Sequence, residues 1–131
     1  SNLRYNRVET IKNSEFYAGY QRLPQELYKS MPTIRQARVA EMIKRELAEI
    51  LQKEMRDPRL SLVSVTDVDV ARDFTVAKVF ISVIGEPQEK AEALKALQGA
   101  SGFLRGHLGR ALDMRTIPAL MFRYDTGIER G

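Results

Sequence analysis

Four glycines fall within the eleven residues Gly99-Ala100-Ser101-Gly102-Phe103-Leu104-Arg105-Gly106-His107-Leu108-Gly109. Helix-like sequence flanks the first two, with Glu89 to Gln98 on one side and Phe103 to Asp113 on the other. Glycine tolerates positive φ and lets another backbone come close. Gly99-Ala100-Ser101-Gly102 therefore reads as a kink between two short helices. Gly102 is expected at positive φ, so that alanine there would cost about 1 kcal/mol. A Gly-x-x-Gly turn between helices is one device for holding a nucleic-acid backbone. The same residues can also make a plain helical corner. Ser101 has two readings as well: its hydroxyl caps the following helix at Phe103, or it meets a phosphate.

The rest of the chemistry-bearing residues are sparse. His107 is the only histidine, and no cysteine accompanies it. A metal site of imidazole or thiolate type is thereby unsupported, and His107 is expected to serve packing or the helix surface. Asp67, Asp69 and Asp73 lack the spacing of a calcium loop and read as solvated charges at strand ends. Gly106-His107-Leu108-Gly109 repeats the Gly-x-x-Gly spacing inside an apolar helical pattern, where close helix packing explains it. No phosphate-binding loop or nucleophile elbow is present. The chain reads as a binding protein, neither an enzyme nor the holder of a cofactor.

Charge supplies the partner. The 131 residues carry a net charge of +4, unevenly spread. Residues 31–60 hold seven Lys/Arg against five Asp/Glu, and residues 99–131 five against three. Residues 61–98 hold four against six. A one-sided basic excess is an electrostatic footprint for nucleic acid. Arg38, Arg45, Arg56 and Arg59 fall on the first helix and its exit. Arg105, Arg110 and Arg115 fall on the last helix and its exit. With Ser101 and Gly102, these seven arginines are the candidate RNA contacts. No apolar run approaches a membrane span, and no apolar signal core opens the chain. The cytoplasm is the expected compartment.

The elements that must carry these residues follow from periodicity. Residues 1–33 read as an N-terminal extension rich in tyrosine, with some helix possible from Val8 to Tyr20; Ser1-Asn2 is of the kind left by a cleaved tag. Residues 34–131 form the domain. Val39, Met42, Ile43, Leu47, Ile50, Leu51 and Met55 keep one face of a helix beginning near Ile34. Thr33 and Gln36 make its capping box, and Asp57-Pro58 ends it. Leu62 to Val70 is a strand that switches register at Asp67, so a bulge is expected there. Ala71-Arg72-Asp73 turns the chain into a second strand, Thr75 to Ile84. Pro87 opens a helix whose expected stripe is Ala91, Leu94 and Leu97. Leu104, Leu108, Ala111 and Leu112 stripe the next, and Ala119 to Tyr124 is a third strand. The order α-β-β-α-α-β gives an α+β fold: an antiparallel pair, a two-helix parallel crossover, and a three-stranded mixed sheet with helices on one face. The other face is expected to be comparatively bare.

This order is that of the type II KH fold. Several fragments narrow the likeness: Arg38-Val39-Ala40, Arg56-Asp57-Pro58-Arg59-Leu60, Val63-Ser64-Val65-Thr66-Asp67-Val68, Ala77-Lys78-Val79, Ala100-Ser101-Gly102-Phe103-Leu104-Arg105, and Pro118 before Leu120-x-Phe122 and Tyr124-Asp125. Together they resemble the ribosome-binding factor A family over about residues 34–131. The resemblance implies an assembly factor that binds the immature small (30S) ribosomal subunit and its 16S rRNA. It implies help in late maturation and rRNA processing, importance in the cold, and release by a ribosome-associated GTPase. A monomer is expected. The alternative is a KH-like protein-interaction or general RNA-binding module without a ribosome-specific role. The family's kink is usually Ala-x-Gly; here Gly99 makes a literal Gly-x-x-Gly. The lead before the domain is longer than is usual in the family, and relatives often continue past the point where this chain stops.

Overall fold

The computed structural model describes residues 31–53 and 55–126. The expected helix at Val8 to Tyr20, like most of the N-terminal extension, lies outside them. Helix α1 (Ile34–Lys53) begins where the capping box places it. Thr33 Oγ1 accepts from the Gln36 N–H at 3.0 Å, and Gln36 Oε1 accepts from the Thr33 N–H at 2.9 Å. Gln36 is itself buried and donates through Nε2 to the Val70 carbonyl at 3.0 Å, pinning the helix to a strand end. The buried stripe is Ala37, Val39, Ala40, Ile43, Leu47, Ile50 and Leu51. Met42, expected in it, is exposed instead. By the helical phase it falls beyond the Val39 edge of the buried arc. Met55 follows the helix, half-buried against the core.

A short 3-10 turn, Pro58–Leu60, leads into β1 (Val63–Val70). Antiparallel to it runs β2 (Val76–Val83), and β3 (Ala119–Tyr124) runs parallel to β2 on its other side. The strand order is β1-β2-β3, so the cleanest alternating strand is central. Val65 pairs with Ile81 and Asp67 with Phe80, which leaves Thr66 as the extra residue of a bulge. The bulge turns both valine pairs toward the helices: Val68 and Val70 enter the core, and Val63 and Val65 pack against it. The Thr66 hydroxyl lies 2.6 Å from Asp125 Oδ2 and 3.1 Å from the Phe80 carbonyl. Its single proton goes to the charged, nearer oxygen.

Two expectations about the sheet change. Asp67 is not a solvated end charge: it is 4% exposed, and its carboxylate accepts from the Val68 N–H at 2.9 Å. Phe80, on the face away from the helices, is buried too, so that face is not bare at its centre. Between β1 and β2, Phe74 adopts φ of +62°, outside the ordinary range of a bulky residue. Its ring lies under the Arg35 guanidinium, 5.0 Å from carbon to centroid.

The crossover consists of α2 (Pro87–Gly99) and α3 (Ser101–Ala111). Glu89 accepts the Glu86 N–H at 2.9 Å and closes the start of α2. Gly85, with φ of +150°, precedes it; a Cβ there would meet Glu89 at 3.1 Å. The buried residues of α2 are Ala93, Ala96 and Leu97, and those of α3 are Leu104 and Leu108, followed by Leu112. Ala91 and Ala111 are exposed, contrary to the expected stripes. Alanines carry little hydrophobic weight, so they leave the phase of a short helix poorly determined; the leucines are placed as expected.

Candidate nucleic-acid interface

The kink is made by Ala100. Its N–H closes α2, reaching the Ala96 carbonyl at 3.0 Å and the Leu97 carbonyl at 3.1 Å. Its carbonyl opens α3 by accepting from the Leu104 N–H at 2.9 Å. With φ −94° and ψ 3° it sits in the bridge region, which an L-residue can occupy. No glycine conformation is needed. Gly102 does not have positive φ: it is the second residue of α3, and a Cβ on it would meet nothing within 4 Å. Gly99 is equally open. The expected positive φ at Gly102 is therefore overturned. Ser101 is the first helical residue rather than the cap, and α3 has no side-chain cap hydrogen bond. The capping role expected of Ser101 is overturned as well.

All seven candidate arginines are exposed. Arg38 and Arg45 lie seven residues apart on the wet side of α1, with exposed Met42 between them. Helices α1 and α3 pack together, so Arg38, Arg45, Arg105 and Arg110 belong to one helical layer. Arg56 and Arg59 do not join them. They lie past the far end of α1, which is about 20 Å from Arg38 at the helical rise per residue: Arg56 just before, and Arg59 within, the 3-10 turn that packs on α2. Arg56 lines a shallow depression there with Leu51, Met55 and Ser64.

The arginines also differ in what already holds them. Arg59 grips Asp57, with Nη2 to Oδ2 at 2.6 Å and Nε to Oδ1 at 3.0 Å. Asp57 also accepts the Arg59 N–H at 3.0 Å. These bonds to the charged form draw the Asp57 pKa down to about 2 and raise that of Arg59. Arg59 is thus partly neutralised before any phosphate arrives. Arg105 donates through Nη2 to the Ile117 carbonyl at 2.9 Å and ties α3 to the segment before β3. Arg115 stands exposed in that same connection.

One pair on α3 is aromatic and so escapes a search for Lys and Arg. Phe103 is 49% exposed and packs against the half-buried His107, with ring centroids 5.2 Å apart and planes at 58°. The i, i+4 spacing of two rings on a helix was the available signal. Among the described residues, no group of three or more His, Cys, Asp or Glu could hold a metal ion. No described helix is long and apolar enough to cross a membrane.

The family model for ribosome-binding factor A matches residues 35–131. The chain is similar to ribosome-binding factor A of Pseudomonas putida, with 48% identity over 99 residues that cover 74% of this chain and 75% of that one. The protein of the same description from Thermomicrobium roseum is 50% identical over 99 residues, 76% of this chain and 77% of that one. Among solved structures, the crystal structure of ribosome-binding factor A from Thermus thermophilus superimposes with a TM-score of 0.62 at 35% identity. It covers 68% of this chain and 93% of that one. A second Thermus thermophilus structure, a homology model fitted into a cryo-electron-microscopy map of a 30S complex, gives a TM-score of 0.55 at 36% identity, over 64% of this chain and 88% of that one.

Proposed function

The chain belongs to the ribosome-binding factor A family, and from that premise we propose that it is an assembly factor for the small ribosomal subunit. It binds the immature 30S particle through 16S rRNA and assists late maturation and rRNA processing. The observation that carries this reading is the likeness to the Thermus thermophilus relative fitted into a 30S complex. The electrostatics support it. Arg38, Arg45 and Arg110 stand exposed on the packed α1–α3 layer, where cations can meet phosphate. Arg105 and Arg115 extend the layer toward β3, and Arg56 and Arg59 form a separate, weaker site. Gly102 and Ser101 let the backbone of α3 approach the RNA closely.

The protein acts as a monomer in the cytoplasm, by binding rather than catalysis. It matters most in the cold, where misfolded rRNA is slow to rearrange, and a ribosome-associated GTPase removes it. Cosedimentation with purified ribosomal particles at two salt concentrations tests the reading. Free or immature small subunits should carry the protein down, and large subunits and joined ribosomes should not. Each phosphate contact removed should lower the slope of log affinity against log salt by about one. Arg110→Ala should do so with an unchanged melting temperature; Arg105→Ala should also loosen the fold by freeing the Ile117 carbonyl. Equal recovery with all particles, or binding indifferent to salt, defeats the proposal and favours a protein-interaction module.

A further inference from the structure

Resting on the RNA-binding reading, we propose that Phe103 and His107 form a stacking platform for one unpaired nucleobase, with Arg110 beside it for the phosphate. Phe103, Gly106, His107 and Arg110 fall at offsets 0, 3, 4 and 7 along α3, which is one face of a helix. Leu104 and Leu108, about a third of a turn round the helix from that face, are both fully buried. The phenyl ring therefore points away from the core by the phase of the helix, and about half its surface meets solvent.

The helix positions next to the ring are glycines, with few described side chains near them. Gly106, three residues after, shares its face; Gly102 immediately precedes it, and Gly99 ends α2 on the other side of the bend at Ala100. A Cβ at Gly99 or Gly102 would have no neighbour within 4 Å; one at Gly106 would meet only Arg110 Nη1, at 3.7 Å. None of the three has positive φ. Glycine weakens a helix relative to alanine, and at these positions neither backbone geometry nor packing among the described residues requires it. Their missing side chains leave room for a flat ligand to approach the helix. The imidazole meets the phenyl at 58°, and tilted rings cover one another by an edge, so the pair leaves ring face open. The same 3.7 Å contact places the Arg110 guanidinium alongside, at the rim of the patch.

An exposed ring face, a flat approach and a flanking cation match a nucleotide in single-stranded RNA. Base-on-aromatic stacking tolerates every base, since each has a π-face. Bases paired within a duplex cannot use the platform, because their faces are already stacked.

The chain contains no tryptophan, so Phe103→Trp introduces a single indole at the site. Titration of that variant with octa-adenylate or octa-uridylate should quench its fluorescence. An abasic ribose-phosphate octamer and an RNA duplex should not. Phe103→Ala should bind single-stranded octamers roughly 5- to 150-fold more weakly than wild type, the range for loss of one stacked base. Phe103→Leu should bind as weakly as the alanine variant, and Phe103→Trp as well as wild type. Circular dichroism checks the fold of each, and the tryptophan variant carries the test if the alanine variant melts early. Equal binding of the abasic octamer, or wild-type affinity of a folded Phe103→Ala, overturns the platform. So does a loss confined to 30S particles with naked RNA unaffected, which would assign this face to a protein. Failure of wild type to bind 30S particles or any RNA would instead remove the functional reading, and the platform with it.

Discussion

Replacing Gly102 by alanine separates two physical accounts of the kink by sign. Had Gly102 held positive φ, alanine would be destabilising by about 1 kcal/mol. In the structure Gly102 is the second residue of α3, without positive φ, and its Cβ position is empty to 4 Å. Alanine then restricts the unfolded chain at no cost to the folded one, a gain of about 0.4–1 kcal/mol. The helix propensity of alanine over glycine expresses largely the same entropy and counts for less in a first turn than in an interior, so about 0.5 kcal/mol is expected. For a folded unit of this size, with about 4–8 °C per kcal/mol, the melting temperature should rise by about 2–4 °C. Thermal unfolding followed by circular dichroism measures it, and urea unfolding with an unchanged m-value checks that the denatured state is comparable. Gly85→Ala is the internal control. There φ is +150° and the new Cβ would press on Glu89 at 3.1 Å, so melting should fall. A fall for Gly102→Ala as well would refute the helical placement of Gly102 and return the bend to glycine. A rise in melting temperature accompanied by weaker RNA binding would place RNA against the same open surface.

Gln36→Leu should destabilise by about 1–3 kcal/mol, because it strips partners from the Val70 carbonyl and the Thr33 N–H in buried or half-buried surroundings. An unchanged urea midpoint would show that water replaces both bonds. The Asp57–Arg59 clamp predicts an acid-side effect. The Asp57 pKa lies at about 2 in the fold against an ordinary 3.8, so its contribution is whole above about pH 4 and is lost as the pH falls toward 2. Asp57→Asn should flatten that part of the stability profile, read as urea midpoints at pH 5, 3 and 2. Parallel profiles for the two proteins would mean that other carboxylates carry the acid response.

The order of elements was legible in the sequence because each rests on neighbours in the chain. The Thr33–Gln36 box, Pro87 at the start of α2, the valine switch at Asp67 and the alternation through β2 are local patterns, and local sterics and hydrogen bonding enforce them wherever the segment lies. The family fragments and the exposure of the arginines were legible for the same reason: motif spacing and charge need no tertiary contact to be read. Other outcomes depended on what lies opposite. Met42 and Ala91 fit a helical stripe on paper, but the approach of α1 and α2 to the sheet selects which residues of a wide stripe are covered. Asp67 and Gln36 are polar and buried because the bulge and the strand end supply backbone partners distant in sequence or created by the fold. The same holds for the kink. Glycine permits positive φ without requiring it, and Ala100 takes the bend because its N–H and carbonyl can serve two helices at once. Phe103 is exposed for a related reason: Leu104 and Leu108 claim the core, and a helix that buries one face must present the other.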